Sequence, residues 1–350
     1  MPIALLELIP AASSRSTIEV RKFPALTNDD AFLSIRYLET AKVRSAILPF
    51  ENSMNSLFLM LAFSLLPVPT PEAPVGLITF LEGSLHVIRN TELLGGVEGM
   101  SLRPGDILET ADKGLVQMEF ADGGIVALGP STRLYLLRVL KGSSAKTTPT
   151  IELVLLGGWL KGQTNGTTYT YQSPAVAASA TTGTVILHRD KEDCAVFVEA
   201  GAATVSGVSP DGALRQPQAV KAGQFFSCRA DRSLNSASRP TAAFVDSLPR
   251  AFRDTLPARA AHFGGKSIEP KVVHAASYVE LESWLTMPTR WRRGLSSRFK
   301  PRLKDPEFRK EIAAHLSQFP EWRSILYPDE NPPGSAPTST PSPDTPQPRP

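Results

Sequence analysis

The chain has 350 residues, of which 42% are hydrophobic and 20% charged, with 24 glycines and 31 prolines against 7% aromatics. That composition excludes a disordered chain and suits a globular protein of many short strands joined by turns, at a length that allows about two domains of ~150 residues. The net charge of +3 is unevenly spread: nine basic residues between Arg290 and Lys310 stand against Asp305 and Glu307, a local +7 that leaves the remainder at −4.

Residues 1–53 show little sustained periodicity beyond short runs such as Ala31 to Tyr37. Ser56 to Val68 (SLFLMLAFSLLPV) then carries no charge and runs into Pro-Thr-Pro. It is too short for a spanning helix, which needs ~20 apolar residues, and suits the apolar stretch of a signal peptide. Residues 54–73 are therefore expected to be a signal-peptide-like segment, with translation starting at Met54 or at Val43. A buried strand or helix of an N-terminal globular unit is the alternative. Export to the periplasm follows from the first reading, with a membrane tether through residues 56–68 if the segment is not cleaved.

From Val75 strand signals recur every 8–15 residues up to Cys228. Val75 to Val87 reads as two strands broken at Glu82-Gly83. In the run from Leu102 to Leu136, Val116, Met118 and Phe120 alternate with Gln117 and Glu119, the period of a half-buried strand whose polar residues face solvent. Asp122-Gly123 tolerates the positive φ of a tight hairpin leading to a partner strand over Ile125–Leu128. Further turns are marked by Pro104-Gly105, Gly129-Pro130, Asn165-Gly166 and Asp211-Gly212. The predicted fold class is mainly β: a solenoid-like or sandwich-like all-β domain over residues 75–228.

The order Leu102, Gly105-Asp106, Thr110, apolar strand, Asp122-Gly123, second strand resembles the core of the FecR domain. Downstream, Ile151 to Lys161 (IELVLLGGWLK), Tyr171-Gln172-Ser173-Pro174-Ala175, Gly183-Thr184, Val196 to Gly201 and Val220 to Gln224 are similar to that family's later strands and turns. The resemblance covers roughly residues 76–226. It implies an all-β binding or sensing domain facing the periplasm. FecR-type sigma regulators also carry a cytoplasmic helical domain and a membrane span, and neither is legible in full here.

Cys194 precedes one predicted strand and Cys228 follows another. In an oxidising compartment they could bond, closing a 34-residue loop worth about 3–4 kcal/mol; two separate buried thiols are the alternative. Residues 229–240 (Ser, Arg, Asn, Ala) read as a linker. Residues 241–330 turn helical: Val245 to Phe252 and Tyr278 to Leu285 are short amphipathic candidates. Asp305-Pro306-Glu307 supplies an N-cap, a first-turn proline and an acidic residue ahead of Phe308, Ile312 and Leu316. Residues 331–350 contain eight prolines and cannot assemble a core, so a disordered tail is expected.

No catalytic constellation emerges, and the chain is expected not to be an enzyme. The five histidines lack metal-ligand spacing. Gly264-Gly265-Lys266-Ser267 mimics the end of a phosphate-binding loop but has Ala260 at the first glycine position and Pro270 in the following helix. Ser143 and Lys146 have the spacing of serine acyl-enzymes but sit between Gly142 and Pro149 without companion motifs. Asp106 and Asp122 read as turn aspartates. No cofactor or metal is implied. The basic block of Arg290, Trp291, Arg292, Arg293, Arg298, Lys300, Arg302 and Lys304, with Trp284 and Trp322 beside it, suits an anionic ligand such as a wall polymer or an acidic envelope protein. Export would remove nucleic acid from the candidates. The same pattern also fits a small helical core with buried tryptophans and solvated arginines. Two functional readings follow: a periplasmic binding or sensing protein, or an envelope protein whose β-domain scaffolds a basic module.

Overall fold

The computed structural model describes residues 73–140 and 149–328, apart from 192, 211 and 230–232. The signal-like segment, Ser143, Lys146 and the proline-rich tail lie outside the described residues. Fifteen strands dominate: β1 (Gly76–Glu82), β2 (Leu85–Arg89), β3 (Glu92–Gly95), β4 (Ser101–Leu102), β5 (Ile107–Thr110), β6 (Leu115–Phe120), β7 (Ile125–Leu128), β8 (Arg133–Leu140), β9 (Thr150–Gln172), β10 (Val176–Asp190), β11 (Asp193–Gly207), β12 (Gln218–Lys221), β13 (Phe225–Cys228), β14 (Leu234–Ala237) and β15 (Lys271–Ala275). All pairings are antiparallel and belong to one sheet. The β6–β7 hairpin has Met118 opposite Val126 and Val116 opposite Leu128, and turns through Gly123 at φ +84°.

The sheet curls onto itself because β9 changes partner midway. Its first half pairs with β8 (Leu155 opposite Leu134), and after Gly158 its second half pairs with β7 (Leu160 opposite Leu128). Gly158 sits at φ +91°, and a Cβ there would lie 2.4 Å from the Thr132 Cα, so only glycine lets the strand pass this corner. Alternate residues of most strands then point into one core that includes Ile78, Val87, Leu108, Met118, Val126, Leu136, Leu153 and Leu160, while β15 is exposed along its length.

The intervening residues build two further cores on the outer faces. Ile88, Ile107, Tyr135 and Val154 pack against Trp284, Trp291, Phe299, Phe308 and Trp322. Ile125, Ala127, Trp159, Ile186 and Phe225 pack against Phe244, Phe252 and Leu256. The C-terminal chain thus covers both outer faces of the sheet. Residues 241–263 lie over the face carrying Trp159, with helix α1 (Ala242–Ser247) and two 3-10 turns, Arg250–Phe252 and Ala260–Phe263. Residues 276–328 lie over the face carrying Tyr135, with α2 (Tyr278–Leu285), α3 (Thr289–Arg292), α4 (Leu295–Phe299), α5 (Pro306–Ala314) and α6 (Arg323–Leu326). Two local signals explain the longer helices. Ser277 and Glu280 close a capping box on α2, and the Asp305 carboxylate accepts from the Glu307 and Phe308 N–H groups at the start of α5.

Several expectations need correction. Leu234–Ala237, inside the segment read as a linker, is strand β14 and pairs with β13. Lys271–Ala275, inside the helical region, is strand β15 and pairs with β3. Gln117 and Glu119 do not face solvent: both are buried under residues 257–260. A polar face in alternation does not mean an exposed one when a distant segment supplies its hydrogen-bond partners.

Candidate functional site: a basic groove on the C-terminal helices

The residues of the FecR-like pattern hold the fold together. Asp106 is 1% exposed and receives two hydrogen bonds from the Arg89 guanidinium (2.8 and 2.6 Å) and one from the Arg103 N–H (2.8 Å). Arg89 also donates to the Ser101 carbonyl. Asp106 is therefore half of a buried ion pair in addition to its turn bond. Thr110 donates to the Gly129 carbonyl and accepts from the Thr132 N–H, and Gly105 turns at φ +86°. Asp122 accepts from the Gly124 N–H and the Tyr169 hydroxyl. Gly183 and Thr184 stand where β10 passes a second corner, opposite Gly201 and Ala200 of β11. Cys194 and Cys228 are register partners on β11 and β13, 5.0 Å apart at Cα, and are disulfide-bonded.

The basic block divides into cations turned inward and cations left free. Arg298 donates to the carbonyls of Ile88 (2.9 Å), Asn90 (2.8 Å) and Gly105 (2.6 Å), riveting α4 to the β-domain. Burial lowers the pKa of this guanidinium from its ordinary value, while Tyr135 and Asp106 pull it back up. Arg290 donates to the Gly212 carbonyl and to Gln172, which also accepts from the Trp291 indole at 3.0 Å. Arg292 is buried, paired with Glu321 at 2.8 Å and bonded to the carbonyls of Leu285 and Gln318. Arg302 bonds the Ala276 carbonyl and Asp305. Trp291, Trp284 and Trp322 are all at most 2% exposed, and Trp284 donates to Glu109 at 2.7 Å. The expected surface of Arg290, Trp291, Arg292, Arg298 and Arg302 is thus mostly an internal seam, and these tryptophans offer no stacking platform to a ligand.

Arg293, Lys300 and Lys304 are exposed, and among the described residues neither lysine makes an ion pair or hydrogen bond. The two lysines border an open groove of about 500 Å3 lined also by Arg309 of α5, Ser297 of α4 and the apolar side chains of Pro301, Leu303 and Ile325. No carboxylate lines it: Asp305 is paired with Arg302, and Glu307 lies 3.7 Å from Lys310. Arg309 donates to the Leu326 carbonyl at 3.3 Å, tying α5 to the end of α6. Both lysines come from the 3-10 turn Lys300–Lys304 and line the same site. The lining thus gathers three cations and no carboxylate, a locally positive surface. Sequence reading reached Lys300 and Lys304 through charge density. It counted Arg309 in the basic block without placing it in the candidate surface, and it missed Ser297 and Ile325; only the folding of three short helices brings these together. Among the described residues no group of His, Cys, Asp and Glu is arranged to hold a metal ion, and no helix is long and apolar enough to cross a membrane.

No protein-family model and no curated protein matches the chain. Among solved structures, two crystal structures of a candidate anti-sigma factor from Parabacteroides distasonis ATCC 8503 align with TM-scores of 0.31 and 0.30 at 11% identity. Each alignment covers 38% of this chain and 59% of the other.

Proposed function

We propose that this chain is a non-enzymatic, envelope-facing binding or sensing protein of FecR-like architecture, whose β-domain holds a basic groove against an anionic envelope component. The observation that carries this reading is the pair of free lysines, Lys300 and Lys304, beside Arg309 in a concavity without a carboxylate. Neighbouring arginines are consumed by structure while these cations are not, so their charge remains available to a ligand. The apolar run at residues 56–68 supports export, which makes a wall polymer or an acidic envelope protein the natural partner class. The riveting of the C-terminal helices to the sheet by Arg298, Trp284 and Trp291 supports the second reading, in which the β-domain is a rigid scaffold for the groove.

The test is binding of the full chain to poly(glycerol phosphate) as salt is raised. Exposed charges are screened beyond ~8 Å at physiological ionic strength, so affinity should fall steeply with salt. Lys300→Glu with Lys304→Glu should abolish retention while leaving the melting temperature within a few degrees. Retention of the double variant equal to that of the parent would overturn the proposal.

A further inference from the structure

We infer that the groove takes an anionic amphiphile at a membrane surface, its phosphate on the lysines and the adjoining apolar part on Pro301, Leu303 and Ile325; this rests on the binding reading above. A polyanion would use only the cations: its charges would meet Lys300, Lys304 and Arg309, and it would gain little from the three apolar side chains that share the lining. A phospholipid headgroup uses both parts, because its phosphate is joined directly to glycerol and acyl carbon that must leave water. A volume of about 500 Å3 is within the range of small-ligand sites and admits a headgroup with the first carbons of its chains. Lysine stems can lie along apolar surface while the ammonium stays in the headgroup layer, so Lys300 and Lys304 suit the boundary between water and lipid. Tyr327, two residues beyond Ile325, is exposed, and tyrosine favours that same boundary. The groove also lies on the outer side of helices whose inner side is welded to the sheet, so docking requires no rearrangement of the protein.

The experiment compares co-sedimentation of the full chain with phosphatidylcholine vesicles and with phosphatidylcholine vesicles containing phosphatidylglycerol. The segment 56–68 is common to all variants, so its contribution cancels in the comparison. The parent should bind the anionic vesicles more tightly than the neutral ones. Lys300→Gln with Lys304→Gln should weaken that binding about 30-fold, the loss expected for two cations near an anionic surface. Ile325→Asn should weaken vesicle binding severalfold yet leave poly(glycerol phosphate) binding unchanged; Ile325→Ala, a smaller change in a half-buried site, gives the same readout if the asparagine lowers the melting temperature. If both Ile325 variants bind vesicles like the parent while the lysine variant loses polymer and vesicles alike, the groove is a polyanion site and the amphiphile inference falls alone. If the lysine variant retains both, this inference and the proposed function fall together.

Discussion

Gly183 and Gly201 face each other across the β10–β11 ladder, and neither has room for a side chain. A Cβ on Gly183 would lie 2.4 Å from the Ala200 carbonyl oxygen, and one on Gly201 would lie 2.4 Å from the Thr182 carbonyl oxygen. Both also have positive φ, +140° and +72°. Here the three longest strands bend, which brings Tyr169 and Tyr171 back over Gly124 and Gly162, where any Cβ would strike their hydroxyls. The Gly-Thr and Glu-x-Gly pieces of the FecR-like pattern are therefore corner residues.

Gly183→Ala should destabilise the protein by about 3 kcal/mol or more, combining backbone strain with a clash against main chain that cannot move aside. Gly123→Ala is the control. It also has positive φ, but nothing lies within 4 Å of its Cβ, so it should cost only about 1–2 kcal/mol. Chemical denaturation separates the two; equal losses would show that the corner is not sterically closed.

The Arg89–Asp106 pair gives a second prediction. Both partners are buried, so removing one leaves the other charged and uncompensated. Asp106→Leu or Arg89→Met should each cost about 3–5 kcal/mol. The double variant Arg89→Met with Asp106→Leu should recover part of that loss. It should not recover all, because the Ser101 carbonyl and the Arg103 N–H lose their partners. A double-mutant cycle measures the recovery, and strictly additive losses would mean that the two do not act as a pair.

Much of the β-domain was legible in the residues, and the reasons are local. The break at Glu82-Gly83, the Asp122-Gly123 hairpin and the Asp305 N-cap all depend on backbone preferences spanning a few residues, and they stand where expected. What was not legible depends on partners far along the chain. Glu119 meets the Arg259 and Ala260 N–H groups 140 positions away, and buried Lys161 reaches the Phe252 and Asp254 carbonyls and Glu199. Nothing in the alternation around Val116–Phe120 distinguishes a solvated glutamate from one clasping a distant strap. The basic block was visible as charge density, but density does not reveal that Arg298 spends its donors on three carbonyls while Lys300, two residues on, spends none.

That contrast is testable. Arg298→Glu should lower the melting temperature sharply, since it removes every bond riveting α4 to β2 and to the turn at Gly105, and buries a carboxylate against carbonyls. Arg292→Glu should do likewise by facing Glu321 with a like charge. Lys300→Glu should change stability by less than about 0.5 kcal/mol, as at other surface positions without partners. Thermal melts of the three variants suffice. A melt of Arg298→Glu like that of Lys300→Glu would show that the C-terminal helices are not anchored there.

Glu119→Lys extends the argument to the other outer face. The substitution removes an acceptor from two main-chain N–H groups and puts a cation where Gln117 also donates. A loss of about 3 kcal/mol is expected. Limited proteolysis should then cut first within residues 250–263, the strap those bonds hold. Wild-type stability of Glu119→Lys would place that strap elsewhere.

His188 supplies a pH dependence of stability. Its ring stacks on Trp159 at 3.8 Å between centroids, with Nδ1 3.0 Å from the Gly158 carbonyl oxygen, so the neutral ring carries its proton on Nδ1. Burial lowers its pKa from the ordinary value of 6.5, only partly offset by the Gly158 bond and by Asp190 and Asp193. Because the folded pKa is the lower one, the unfolded chain binds more protons in the interval between the two values. Stability from this group is therefore complete above about pH 6.5 and declines as pH falls toward the folded pKa. His188→Gln, which can still donate to Gly158, should lower stability at pH 7.5 through the lost ring stack and remove this part of the acid-side slope. Denaturation midpoints from pH 7.5 to 5 decide the matter: parallel curves for parent and variant would mean that His188 does not titrate differently in the two states.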